Sequence, residues 1–107
     1  MRDWNFISLM IGTFLMIKNI LNNVAEFKKW SVTHWASTMS LDLETDGLHW
    51  GCKIIGISAS NGTAACYIRV NDDNQDGVLV TLQDHLNMTQ LLLLHNGSFD
   101  LRVLDRN

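Results

Sequence analysis

The sequence predicts an α+β domain: one long N-terminal amphipathic helix packed on a curved antiparallel sheet of five to six strands. Three observations predict it. Residues 4 to 30 are apolar with a helical period, residues 38 to 105 switch to a strand period, and Gly, Asn and Asp punctuate the second region at short intervals. With 107 residues and no linker or repeat, the chain reads as a single domain over 1–107.

The helix follows from its period. Asn5, Ser8, Gly12, Asn19, Asn22, Asn23, Glu26 and Lys29 fall within a sector of roughly 120° when wound at 100° per residue. Phe6, Leu9, Met10, Phe14, Met16, Ile17, Ile20, Leu21, Val24 and Phe27 fill the opposite side. Trp4, Ile11 and Leu15 interrupt the polar stripe. Asp3 or Asn5 is placed to cap the start, and Lys28 and Lys29 suit the negative end of the dipole. Some 25 residues at about 1.5 Å each would span close to 40 Å, long for a domain of this size.

The strands follow in order. Met39, Leu41 and Leu43 alternate with Ser40, Asp42 and Glu44, and Asp46-Gly47 reads as a hairpin turn. Leu48 to Ser58 is rich in isoleucine, with Gly51 and Gly56 marking bulges or close backbone approach. Ser60-Asn61-Gly62 turns the chain into Ala64–Val70. After the polar loop Asn71–Gly77, Val78, Val80 and Leu82 alternate as a further strand, which Asp84 to Met88 ends. The four leucines within Thr89–Leu94 suit a strand covered on both faces, and Asn96-Gly97 predicts a terminal hairpin to Phe99, Leu101 and Val103. In general architecture, a long helix followed by such a meander with a terminal Leu91–Leu104 hairpin resembles the cystatin-like and NTF2-like folds. That resemblance implies a sheet wrapped on the helix and, being one of fold alone, carries no function.

Composition bounds the partners. Hydrophobic residues make up 47% and charged residues 18%, which describes a globular chain with a core rather than a disordered one. The net charge is -3, and residues 41–107 hold nine acidic against four basic residues. With no Lys/Arg cluster, a nucleic-acid surface is not expected. Cys52 and Cys66 fall in adjacent predicted strands and read as two buried thiols, although a bridge between them is geometrically conceivable. Asn61, Asn87 and Asn96 head N-x-S/T sequons, two of them Asn-Gly pairs that a turn would choose anyway.

Few residues suggest chemistry. Asp72, Asn74, Asp76 and Gly77 form a D-x-N-x-D-G run like the start of a calcium loop, since calcium takes oxygen ligands at alternate positions. The closing glutamate is replaced by Gln83, so a solvated turn is the expectation and no metal or cofactor is assigned. His49 and Cys52 are three apart, which on a strand sends them to opposite faces and argues against a zinc site. Asp84-His85 lacks a third group to orient it, and no nucleophile elbow or phosphate loop is present. Trp30 and Trp35 flank the predicted helix end, where they could line a pocket or a subunit contact.

The leading expectation is therefore a cytoplasmic, non-catalytic protein that self-associates as a homodimer through apolar helix positions the sheet leaves uncovered. Two readings stand beside it. One is a membrane-anchored protein with a projecting β domain, inserted through residues 4–21; Lys18 and Asn19 interrupt that stretch. The other is a carrier of a small apolar ligand, held between helix and sheet by Met10, Phe14, Ile17, Trp35, His49 and Tyr67.

Overall fold

The computed structural model describes residues 17–47 and 52–94, with Ile17 described by its backbone alone. Their order is β1 (Ile17–Leu21), α1 (Val24–His34), β2 (Thr38–Thr45), β3 (Ile54–Ser60), β4 (Ala64–Arg69), α2 (Gln75–Leu86) and β5 (Leu91–Leu94). Among the described residues the architecture is α+β: a five-stranded mixed sheet in the order β1-β4-β3-β2-β5 with two helices.

The long helix predicted over 4–30 is not formed. Ile17–Leu21 is a strand and the first described helix begins at Val24. The break has a local cause. Asn23 takes extended backbone (φ -155, ψ 172), and its side-chain oxygen accepts from the Glu26 N–H at 2.9 Å. Glu26 in turn reaches back to accept from the Asn22 N–H at 2.9 Å. Two otherwise orphaned donors at the helix start are satisfied reciprocally, in the manner of a capping box. Asn22 and Asn23, read as part of a polar stripe, are a helix start, and Asn19 lies in β1. The predicted positions from Trp4 to Met16 lie outside the described residues.

The second correction concerns Val78–Leu82, predicted as a strand and found inside α2. Val78, Thr81 and Leu82 are buried, a spacing of three and four that points one helical face inward. Asn71 sets up the preceding turn by accepting from the N–H groups of Asp73 (2.9 Å) and Asn74 (3.0 Å).

The sheet is mixed rather than antiparallel. β2, β3 and β4 form the predicted antiparallel meander, but β1 joins β4 in parallel and β5 joins β2 in parallel. Parallel strands need crossovers, and α1 and α2 supply them. Both crossovers step the same way across the sheet, from β1 to β2 and from β4 to β5. Connections of one hand then place both helices on the same face. There Phe27, Trp30, Val78 and Leu82 join Met39, Leu41, Leu43, Ile57, Ala59, Cys66 and Ile68 in one core. At the helix contact a Cβ added to Gly77 would stand 2.9 Å from a Val24 methyl, so glycine permits the approach.

Turns tie these layers together. The predicted Asn61-Gly62 turn is present, with Gly62 at φ 104. Asn61 accepts from Thr63 and Ala64 N–H groups, both at 2.8 Å, and donates to the His34 carbonyl at 2.8 Å. One side chain thus closes the β3–β4 hairpin and satisfies a carbonyl at the end of α1. Asp46-Gly47 is not a two-residue hairpin, because Thr45 pairs with Ile54 and the connection runs between them. Asp46 anchors its mouth, donating to the Lys53 carbonyl and accepting from the Lys53 N–H. Among the described residues β5 stands at the edge of the sheet, with alternating exposure rather than cover on both faces. The hairpin predicted at Asn96-Gly97 lies outside the described residues.

Candidate functional site

The two faces of the sheet differ in chemistry, and the predicted site residues divide between them. Residue pairing across the strands defines a polar face carrying Ser40, Asp42 and Glu44 of β2, Gly56, Ser58 and Ser60 of β3, and Tyr67 and Arg69 of β4. Ser58 stands in register with Asp42 on one side and Tyr67 on the other. The Tyr67 hydroxyl donates to Glu44 Oε1 at 2.8 Å. Gly56 makes room for that bond: a Cβ there would fall 2.5 Å from the tyrosine oxygen and 2.7 Å from Glu44 Oε1. The middle of this face is closed to solvent, with Ser58 and Ser60 each 1% exposed and Asp42 buried, while Glu44 is half-buried and Arg69 exposed at its end. The Ser58 hydroxyl has no hydrogen-bond partner among the described residues. Buried in this way, the Ser58 hydroxyl is not a reachable nucleophile.

The helix-bearing side holds the second candidate. An open groove of about 350 Å³ lies where α1 and α2 end, lined by Ser31, Val32, Trp35, Ala36, Ser37, His85 and Met88. Trp35 is placed there by leaving α1 in extended backbone. Its indole N–H donates to Thr89 Oγ1 at 2.8 Å, and Thr89 Oγ1 donates to the His85 carbonyl at 2.9 Å. The Trp35 and His85 rings lie 5.3 Å apart between centroids. His85 Nδ1 is 2.9 Å from the Thr81 carbonyl, an acceptor only, so Nδ1 carries the proton. A helix carbonyl, not the neighbouring Asp84, orients this ring.

Of the predicted ligand-binding residues, Trp35 lines the groove while Tyr67 sits on the opposite face of the sheet. Met10, Phe14 and His49 lie outside the described residues, as does the Ile17 side chain. The groove's most exposed apolar positions, Val32 and Met88, went unread in the sequence. Val32 falls in the connection after the predicted helix, and Met88 in the segment that ends the predicted strand.

Asp72 to Asn74 form a turn leading into α2, and Asp76 lies in the first turn of that helix. Asn74, the middle candidate ligand, spends its amide on the loop: its oxygen accepts from the Asn71 N–H at 2.9 Å and its nitrogen donates to the Arg69 carbonyl at 2.9 Å. Among the described residues no group of three His, Cys, Asp or Glu converges as metal ligands would. Cys52 and Cys66 are both buried and free. Burial pushes the Cys66 thiol far above its ordinary range, a contact with Ala59 backbone opposing only in part. Of the anchor considered over 4–21, the last five residues are β1. No described helix is long and apolar enough to cross a membrane. No protein family and no curated protein matches the chain.

Proposed function

We propose that this chain is a non-catalytic protein that acts by associating with a second copy of itself, through the outer surface of its helix layer. One observation carries the reading. Val32, Val80 and Met88 are 80%, 60% and 65% exposed, and all three lie on or directly after the two helices that share one side of the sheet. Single exposed apolar residues are ordinary, but large ones gathered on one layer mark interaction surfaces. The test is light scattering coupled to size exclusion over a range of concentration in the absence of detergent. A mass that rises towards twice the monomer supports the reading. A monomer at every concentration up to hundreds of micromolar sinks it.

A second reading rests on the groove beside Trp35. Its volume of about 350 Å³ matches a small ligand, and Val32, Trp35 and Met88 give it apolar walls. Quenching or a shift of tryptophan emission by an apolar probe, lost in Met88→Lys, would favour it. An unchanged emission spectrum at saturating probe would dismiss it.

A further inference from the structure

Resting on the self-association reading, we infer that the dimer is two-fold symmetric and lays α1 of each copy on α2 of the other. The two helices carry opposite charges on their outward faces. On α1 the exposed positions are Ala25, Glu26, Lys28, Lys29, Val32 and Thr33, with Glu26 turned back to the Asn22 N–H at the helix start; on α2 they are Asp76, Val80, Gln83 and Asp84. A basic strip with a valine faces out beside an acidic strip with a valine. Stacking like on like would oppose lysines to lysines and aspartates to aspartates. Stacking α1 on α2 opposes cations to anions at both contacts at once, which is what an isologous interface requires.

The direction and relative level of the two helices suit this arrangement. α1 follows β1 and α2 follows β4, two strands that run in parallel, so the two helices point the same way. A two-fold axis lying along the helices and between them therefore carries α1 over the partner's α2 with no change of direction or height. Height is set by the contact of Val24 with Gly77. Counting up both helices from that level puts Lys28 and Lys29 beside Thr81 and Leu82, between Asp76 and Asp84. Val32 comes level with His85, in agreement with the groove that Val32 shares with His85 and Met88. Across the axis, then, each lysine pair sits between two aspartates of the facing helix, and each Val32 meets the apolar end around Met88. A face two helices wide and about 17 Å long, at about 1.5 Å per residue, is small for an interface. Its buried area falls at the low end, below about 1,200 Å², where complexes are weak and transient.

Charge reversal tests the pairing. Lys28→Glu/Lys29→Glu gives two acidic helices, and Asp76→Lys/Asp84→Lys gives two basic ones. Each variant alone should lose at least tenfold in dimer affinity by sedimentation equilibrium, while an equimolar mixture restores a species of twice the monomer mass. Circular dichroism of each variant controls for folding, and Val32→Asp, which leaves the charge strips in place, should also give a monomer. A wild-type dimer that either charge variant or Val32→Asp leaves intact overturns this interface but not self-association. A mixture that stays monomeric also overturns it, and masses growing beyond the dimer would show head-to-tail contact instead. A wild-type monomer removes the self-association reading itself.

Discussion

Replacing Asn23 decides where the first described helix begins, because the sign of the effect depends on it. Asn23 Oδ1 accepts from the Glu26 N–H at 2.9 Å from an extended backbone, so Asn23→Ala removes a cap. The loss of such a cap costs about 1 kcal/mol, within a range of about 0.5 to 2. The bond is exposed, so water takes over part of its role and the middle of that range is expected. Inside a continuous helix the same change would stabilise by about 0.5 kcal/mol, since alanine is the better helix former. Glycine sharpens the contrast: it is tolerated at a cap to within a few tenths of a kcal/mol but costs about 1 kcal/mol against alanine in a helix interior. Urea unfolding followed by tryptophan fluorescence should therefore rank wild type, then Asn23→Gly, then Asn23→Ala. For a domain of this size a loss of about 1 kcal/mol lowers Tm by about 4–8 °C. Asn23→Ala more stable than Asn23→Gly would falsify the helix start at Val24.

Three further outcomes follow from the same contacts. Asn61→Ala removes the acceptor of the Thr63 and Ala64 N–H groups and the donor to the His34 carbonyl, and should cost about 2–3 kcal/mol at about 1 kcal/mol per bond. A change within 0.5 kcal/mol would show that water replaces all three, by about the margin usual for surface substitutions. Gly56→Ala forces a methyl against the Tyr67 hydroxyl and Glu44, an overpacking worth about 1–3 kcal/mol. Adding Tyr67→Phe should recover part of it, and a double-mutant cycle with no coupling would disprove the contact. The buried Cys66 thiol resists ionisation, so the native state holds its proton more tightly than the unfolded chain does. Its contribution is fully present below its ordinary value of 9.0 and falls as pH rises beyond it. Unfolding free energies of wild type and Cys66→Ala measured from pH 7 to about 10.5 should diverge above that value. Parallel curves would refute the assignment.

The central meander was legible because its signals are local. Met39, Leu41 and Leu43 alternate with polar neighbours, Ala64, Cys66 and Ile68 form one face opposite Ala65, Tyr67 and Arg69, and Asn61-Gly62 is a turn pair. The helix start was also written locally, in Asn23 and Glu26, but was outvoted by an apolar period running through it. Ile17, Ile20 and Leu21 satisfy the helical spacing as well as they fill a strand. Their fate rests on pairing with Ala64, Tyr67 and Ile68, far along the chain. Val78, Val80 and Leu82 are ambiguous in the opposite sense: alternation suits a strand, while Val78 with Leu82 suits a helix. Packing against Val24 through Gly77 settles that segment as α2.

By itself, then, the sequence determined an α+β chain with an apolar core and a three-stranded centre turned at Asn61-Gly62. Periodicity, turn chemistry and side-chain size act between near neighbours, and each of those features needs nothing more. Only the tertiary structure decided that β1 and β5 join that centre in parallel, that both helices cover one face, and that Val32, Val80 and Met88 share an outward surface with opposite charges on its two helices. Those are contacts between residues distant along the chain. Strand order and crossover hand choose them, and a local pattern holds no record of either.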